Sequence, residues 1–295
     1  MPNLAEPLIQ YLRQLEARGE THVSVDDEAR LILREFFIRA RDGKKTPSSR
    51  HSSPTSSPSP ATQEGKPETS QSPPASPAEA PSRLVASGST PAEQIADLKR
   101  QAETWAPAKA LDSLRKTMVF STGNPSAKIM LVGEAPGFDE ERLLEPFVGK
   151  AGQKLNGILT AMGLRREQAY ISNIVKYRPA MPNQTTNNRK PNAQEMAAWM
   201  PFIEAEIRIV KPEVIIALGG TAAQALLASD DPVGRMRGKF HDYQGTPLRV
   251  TYHPSYILHN DTTAEKRKIW EDMLDVMKLL EMPISEKQQA YFLPK

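Results

Sequence analysis

The sequence predicts a three-layer α/β/α domain with a central, mostly parallel, four-stranded sheet. Two short apolar runs, KIMLVG at 128–133 and EVIIALG at 213–219, each end in glycine and are typical of fully buried strands. Helical patterns lie between the strand patterns, and this alternation implies parallel strands joined by right-handed crossovers. In such sheets a ligand site lies at the carboxyl ends of the strands.

Each predicted element rests on a local pattern. A second β-rich run, AYISNIV, covers 169–175, and LRVTYHP at 248–254 is a strand that Pro254 stops. Helices are predicted at 150–162 and 192–210, where the apolar residues recur with helical spacing. A final helix is predicted at about 262–281. The predicted carboxyl ends place Gly133–Gly137, Asn173, Gly219 and His253 on one edge of the sheet.

The composition divides the chain into four parts. Residues 1–44 read as a short helical N-terminal segment, and 45–92 as a disordered linker rich in proline and serine. The stretch 46–91 holds 10 of the 26 prolines and 13 serines, so it buries too little apolar surface to offset the entropy of ordering. The α/β domain is assigned to 93–283 and a C-terminal tail to 284–295.

Charge and cysteine content exclude several classes of function. The 295 residues contain no cysteine, which excludes disulfides, thiolate catalysis and cysteine-bound metal. A net charge of +3 is compatible with nucleic-acid binding without arguing for it, because local patches set phosphate affinity. Neither a signal peptide nor a membrane-spanning run is visible, so we expect a soluble cytoplasmic protein without membrane partners.

Three motifs fall at the ends of predicted strands. They read GEAPGFDEE at 133–141 with EPFVGKAG at 145–152, YISNIVKYRP at 170–179 and TYHPSYIL at 251–258. Their order and spacing resemble the family 4 uracil-DNA glycosylases over about 110–260. The resemblance implies a DNA-repair enzyme that flips uracil out of DNA and hydrolyses its N-glycosidic bond, leaving an abasic site. It also implies uracil-containing DNA as partner, a monomer, and a nucleoid-associated bacterial location.

Two residues are the predicted catalytic groups. Glycosidic cleavage passes through a cation-like sugar and an anionic departing base, so an enzyme needs a negative group near the sugar and a donor near the base. By resemblance, Glu134 stabilises the cation and positions or activates water, and His253 contacts the uracil and stabilises charge on O2. A solvated loop carboxylate and a structural histidine are the competing interpretations.

Four residues are predicted to bind the base. Gly133 and Ala135, with Gly137, keep the loop small so that backbone N–H groups approach the base, and an ordinary strand-to-helix turn is the alternative. Phe147 matches the phenylalanine that stacks on the flipped base, although local pattern alone favours a core role. The Asn173 amide can donate to uracil O4 and accept from N3–H, which separates uracil from cytosine. A strand-end asparagine bonding a loop is the alternative.

The segment after His253 is predicted to contact DNA. Ser255 is assigned to a phosphate, and Tyr256, Ile257 and Leu258 to an apolar tip that wedges into the duplex. An ordinary helix start is the alternative. Phosphate contacts are also proposed for basic residues near the predicted loops, namely Lys150, Lys154, Lys176, Arg178, Arg189, Lys190, Arg235, Arg237 and Lys239.

The chain departs from the family pattern at the iron–sulfur cluster. Two of the family's four cysteine positions align with Tyr177 and Trp199, and the other two fall around 106–109, so we expect no cofactor and no metal. Packing by Tyr177, Trp199 and Trp105 is the hypothesised replacement. The loop AMPNQTTNNRKPNAQ lacks the histidine with which a sister group traps DNA covalently, which favours ordinary turnover.

Two further interpretations stay open. The domain is either a catalyst or a non-catalytic relative that binds DNA or a partner, and a Glu134→Ala comparison separates the two. The N-terminal segment and linker are also interpreted as a tether to repair or replication proteins, which is compatible with both.

Overall fold

The computed structural model describes residues 84–293. The predicted helical segment 1–44 and residues 45–83 of the predicted linker lie outside the described residues. The described end of that linker leads directly into a helix that starts at Pro91. Thr90 caps this helix, because its side chain accepts from the Glu93 backbone N–H while the Glu93 carboxylate accepts from the Thr90 N–H.

Helices and strands alternate along the described chain. In chain order the strands are β1 (Leu114–Met118), β2 (Thr122–Gly123), β3 (Ile129–Gly133), β4 (Tyr170–Asn173), β5 (Tyr177–Pro179), β6 (Val214–Leu218), β7 (Phe240–Tyr243) and β8 (Thr246–Thr251). The helices are α1 (Pro91–Glu103), α2 (Ala106–Lys109), α3 (Phe138–Leu143), α4 (Lys150–Ala161), α5 (Ala193–Val210), α6 (Gly220–Leu227), α7 (Val233–Met236), α8 (Tyr256–His259), α9 (Thr263–Leu279) and α10 (Glu286–Gln289). Within residues 84–293, no helix has the length and apolarity needed to cross a bilayer.

The main sheet has the strand order β2-β4-β3-β6-β8-β7. Its four inner strands are parallel, which confirms the predicted sheet, and the register places Leu131 opposite both Ile171 and Ile216. Two antiparallel edge strands were not predicted, because β2 has only two residues and β7 is a largely polar FHDY segment. Strands β1 and β5 form a separate antiparallel pair. This pair was not predicted either, because the short segments LRKTM and YRP carry no apolar run.

The two faces of the sheet are covered by different helices. Met130 and Val132 of β3 face a core that includes residues of α1, α5 and α6. Ile129 and Leu131, the alternate residues of β3, face a core built with α4 and α9. Because each strand contributes to both cores, the apolar runs carry no polar alternation, and the three-layer architecture is confirmed.

The C-terminal residues contact the second face. Gln288 of α10 donates to the Ala161 carbonyl at 2.8 Å, and its own carbonyl accepts from the Trp270 indole at 2.6 Å. The sequence 284–295 was predicted as a tail, and its described part packs on α4 and α9.

A buried carboxylate ties α9 to the sheet. Asp272 is fully buried, and its Oδ1 accepts from Arg249 Nε at 3.1 Å and Nη2 at 2.8 Å. Its Oδ2 accepts from Thr251 Oγ1 at 2.8 Å and from Arg237 Nε at 3.1 Å. Both oxygens are therefore paired twice, which offsets the cost of burying the charge. We call these four residues the Asp272 cluster.

Candidate active site

A pocket of about 370 Å³ opens at the carboxyl ends of β3, β4 and β8. It brings together Glu134, Phe147, Asn173 and His253, which are far apart in the sequence. Its other lining residues are Ala135, Pro136, Gly137, Glu140, Ala151, Asn188, Arg189, Ser255 and His259. The site edge expected from the parallel topology therefore holds a real cavity with a polar lining.

The first wall is the end of β3. Gly133 is paired in register with Asn173 of β4, and Glu134 follows as a partly exposed residue. A Cβ at Gly133 would lie 2.4 Å from Asn173 Oδ1 and 2.4 Å from Phe147 Cζ, so a side chain has no room here. Glycine at this position lets the side chains of Asn173 and Phe147 approach the end of β3 closely. This close approach adds to the small loop that the sequence predicted.

Phe147 forms a second wall from an unusual backbone. Its φ is +56°, a region that bulky residues rarely adopt, and its side chain is buried. Arg166 Nη1 donates to the Phe147 carbonyl at 3.1 Å, and a Cβ at Gly152 would lie 1.8 Å from that same oxygen. The ring lies 5.6 Å from the His253 ring, centroid to centroid. Backbone strain held by neighbours is typical of functional positions.

Glu140 is a functional residue that the sequence interpretation missed. Its carboxylate accepts from three backbone N–H groups: Gly137 at 3.1 Å, Val148 at 3.0 Å and Gly149 at 2.9 Å. It thereby joins the loop after β3 to the segment that carries Phe147. The spacing of Glu140 three residues after Gly137 was an available signal for a helix start, whereas the contact with Val148 had none.

Asn173 presents an unpaired acceptor. Its side chain is 3% exposed, and Oδ1 has no hydrogen-bond partner among the residues that the structure describes. Leaving a buried acceptor unpaired costs about 1–3 kcal/mol. A ligand that donates to Oδ1 recovers that free energy, which favours a base-reading role over the alternative of a strand-end asparagine bonded to a loop.

His253 is held in one tautomer. The Ser255 backbone N–H donates to Nδ1 at 3.2 Å, and Ser255 Oγ lies 2.7 Å from the same nitrogen. Because a backbone N–H only donates, Nδ1 is an acceptor and the proton of the neutral ring is on Nε2. Burial lowers the pKa of His253 below its ordinary 6.5, against the opposing charges of Glu134 and Glu140. The ring is therefore neutral at pH 7.

The predicted DNA-contacting segment is only partly available. Ser255 is engaged with His253, as described above. Tyr256 stacks on Tyr252 with centroids 4.5 Å apart, and its hydroxyl donates to Glu265 at 3.0 Å. Ile257 is buried, whereas Leu258 is 37% exposed. Of the three apolar residues predicted as the tip, Leu258 is therefore the one with an exposed side chain.

Three of the basic residues proposed as phosphate contacts are committed elsewhere. Lys176 and Arg178 are buried, with exposures of 0% and 1%. Arg178 holds the loop after β5 through Asn188 Oδ1 at 2.8 Å, and Arg237 belongs to the Asp272 cluster. These assignments were wrong, because local sequence does not show whether a charged residue near a strand end faces solvent or the core.

Two pocket residues come from the loop after β5. Asn188 is fixed by Arg178, and Arg189 is fixed by Glu195 at 2.6 Å and 2.9 Å and by the Ala180 and Ser113 carbonyls. This loop has no periodic pattern, so Asn188 had no sequence signal. Together they contribute the lining that comes from this loop.

The match to a known protein family covers the region that holds the three motifs. The model of the uracil DNA glycosylase superfamily matches residues 120–274. The chain belongs to this superfamily. A type-4 uracil-DNA glycosylase of Thermotoga maritima is 39% identical over 161 residues, covering 54% of this chain and 81% of that protein. Another, of Pyrobaculum aerophilum, is 40% identical over 158 residues, covering 50% and 76%.

The chain has no ligands for the iron–sulfur cluster that the resemblance to family 4 implies. Tyr177 and Trp199 occupy two expected ligand positions, and their rings lie 5.4 Å apart. Phe202 contacts Trp199 at 5.1 Å and Trp105 at 5.3 Å, so aromatic rings fill this region. With no cysteine in the sequence, no thiolate ligand exists, and the residues do not fit the cluster.

The two predicted halves of that region do meet in space. Trp105, Ala108 and Lys109 line one cavity of about 340 Å³ together with Tyr177. Among residues 84–293, no group of three or more His, Asp or Glu is arranged to hold a metal ion.

Proposed function

We propose that this chain is a uracil-DNA glycosylase that hydrolyses the N-glycosidic bond of an extruded uracil and leaves an abasic site. The observation that carries the proposal is the meeting of a carboxylate, an aromatic ring, an unpaired amide oxygen and a neutral imidazole around one pocket. The related proteins of Thermotoga maritima and Pyrobaculum aerophilum are type-4 uracil-DNA glycosylases, which supports the same reaction.

The pocket reads uracil through Asn173. The unpaired Oδ1 accepts from uracil N3–H while the amide nitrogen donates to O4. Cytosine presents an acceptor at N3 and a donor at C4, so it leaves both amide atoms mispaired, and a buried mispaired group is costly. The Phe147 ring supplies a stacking surface worth about 1–3 kcal/mol, which does not depend on the base.

Bond cleavage uses Glu134 and His253. As the bond between C1′ and N1 breaks, the electron pair moves to the base, and its charge spreads to O2. The Nε2–H of neutral His253 donates to this oxygen. The Glu134 carboxylate stabilises the cation-like sugar and takes a proton from the water whose oxygen bonds to C1′. The uracil anion takes up a proton on release and Glu134 gives its proton back to solvent, so the net products are free uracil and an abasic deoxyribose.

The same lining supports a monofunctional enzyme. A glycosylase that also cuts the strand needs an amine nucleophile at C1′. Among the described residues that line the pocket there is none of lysine type. Water is therefore the attacking group in this proposal, and strand cleavage is not expected without added alkali.

Finer features belong to the same proposal. The exposed Leu258 wedges into the duplex, and uracil-containing DNA is the partner of a monomeric, nucleoid-associated protein. The enzyme works without a cofactor, and the aromatic contacts around Trp199 take the structural part of the missing cluster. A tether function for residues 1–92 also stays part of the proposal.

A uracil-containing oligonucleotide followed by hot alkali tests the reaction. The wild-type protein is expected to yield strand breaks at uracil, and Glu134→Ala is expected to lose about 10²–10⁴-fold in rate while still binding the DNA. Glu271→Ala, at an exposed carboxylate, is the matched control and keeps full rate. Intact oligonucleotide with wild-type protein that binds normally would favour a non-catalytic relative instead.

A further inference from the structure

We infer that Lys176 and Glu206 are positioning residues, a buried ion pair beneath the pocket that fixes the backbone of Asn173 and so aims its base-reading amide. The inference rests on the proposed function. From the sequence, Lys176 is a predicted phosphate contact and Glu206 has no predicted role. Both side chains have 0% exposure.

The contacts of Lys176 use its full donor capacity. Nζ donates to the Asn173 carbonyl at 2.8 Å, to Ser172 Oγ at 2.6 Å and to Glu206 Oε2 at 3.0 Å. An ammonium group has three hydrogens, so no donor is left over. Ser172 Oγ donates in turn to the same Glu206 oxygen at 2.7 Å. The backbone carbonyl of Asn173 is thereby linked through Lys176 to the Glu206 carboxylate on α5.

The turn that Lys176 stabilises also touches the catalytic loop. The Ile174 N–H donates to the Gly133 carbonyl at 2.9 Å, and the Val175 N–H donates to the Glu134 carbonyl at 3.0 Å. A shift of this turn therefore changes the backbone at Asn173 and Glu134 together. The ion pair is the one charged anchor of the turn among the contacts described here.

The pair is poorly explained by stability alone. Burying two ions costs several kcal/mol each, and a well-packed apolar pair in the same volume is often as stable or more so. Glu206 Oε1 has no partner among the described residues, so the arrangement does not maximise hydrogen bonding. Burial lowers the pKa of Lys176, although the Glu206 charge opposes this. Positioning of Asn173 accounts for the retained cost.

A double-mutant cycle tests the inference. Lys176→Met with Glu206→Leu removes both charges and keeps apolar volume, so neither ion is left alone. In the otherwise wild-type protein the single-turnover rate on a uracil oligonucleotide is expected to fall about tenfold, within the usual range of coupling energies. In an Asn173→Ala protein the same replacement is expected to change the rate by about twofold or less.

A merely structural role gives a different result. Equal losses in both backgrounds, or no loss in the wild-type background, would overturn the inference, with thermal melting measured alongside. If the double replacement fails to fold, Ser172→Ala removes one contact of the pair with little change in volume. It is expected to cost about threefold with the same dependence on Asn173, and the absence of that dependence also overturns the inference.

The two proposals fail separately. Wild-type protein that leaves uracil in place contradicts the proposed function. Wild-type activity that depends on Asn173, without coupling to Lys176 and Glu206, contradicts only the positioning role.

Discussion

Two regions beside strand β8 show two ways of burying polar groups. In the first, the Asp272 cluster, which includes Arg249 and Thr251 of β8, pairs each carboxylate oxygen twice. In the second, the residues after β8 lead to His253 and a pocket where Asn173 Oδ1 has no described partner. The polar groups of the first region are paired within the protein, and those of the second face the pocket.

The difference separates structural from functional polar residues. A buried group with every partner supplied by the protein contributes to one folded state, and losing any partner is costly. A buried acceptor left unpaired raises the free energy of the protein alone, and where it faces a pocket a ligand can pair it. Substitutions in the two regions should therefore affect different measurements.

The largest effect is expected in the Asp272 cluster. Asp272→Ala leaves Arg249 buried without its main partner, and breaking such a pair is expected to lower the free energy of unfolding by about 3–5 kcal/mol. Chemical denaturation measures this loss. Glu271→Ala, next to it on the exposed side of α9, is the control and is expected to change stability by about 0.5 kcal/mol or less. Similar losses for both variants would contradict the contrast.

Removal of Trp199 is expected to rank next. Trp199→Ala opens a cavity among Tyr177 and Phe202, with an expected loss of about 3 kcal/mol, at the low end for buried aromatic residues. The loss is at the low end because its indole Nε1 has no described partner and is released from burial. Trp199→Phe keeps most of the packing and is expected to melt close to wild type. An unchanged midpoint for Trp199→Ala would remove the structural role.

In the pocket the expected effect is on catalysis. Phe147→Leu keeps an apolar side chain in the core but removes the stacking surface, which is worth about 1–3 kcal/mol per base. The value of kcat/KM on uracil DNA is expected to fall about tenfold, with a small change in melting temperature. If kcat/KM stays at the wild-type value, Phe147 is only a core residue, as its local pattern suggested.

The smallest expected effect is a pH dependence. Because burial lowers the folded-state pKa of His253, the unfolded state binds more protons below pH 6.5, and stability is lost as pH falls from 6.5 through the lower folded value. Excision is expected to decline over the same acidic window, since a charged ring no longer accepts from the Ser255 N–H. The His253→Asn variant is expected to lose this acidic decline in the excision rate. A decline in the wild-type rate centred above pH 6.5 would contradict the neutral ring.

The sequence was sufficient for the repeated features of the fold. The inner strands and the helices α4, α5 and α9 were predicted because apolar runs and helical stripes report burial directly. The short edge strands and α6 were not, since a two-residue strand, the mixed segment FHDY and a helix rich in small residues carry no such signal. Local pattern, not topology, limited the prediction.

The site was predictable only where a motif marked it. Glu134, Phe147, Asn173 and His253 were placed together by resemblance and by the shared edge of parallel strands. Lys176 was misjudged, because its contact with Glu206 spans 30 residues and depends on the packing of α5. Contacts across the tertiary fold leave no local trace.

The Glu140 carboxylate has a consequence for the proposed binding of DNA. One side chain accepts from N–H groups of two separate segments, so the loop after β3 is tied to the segment that carries Phe147. In the proposed function, this part of the pocket is already ordered in the free protein, so binding a flipped nucleotide costs little ordering of these two segments. Most of the cost of extrusion is then the unstacking of the nucleic acid.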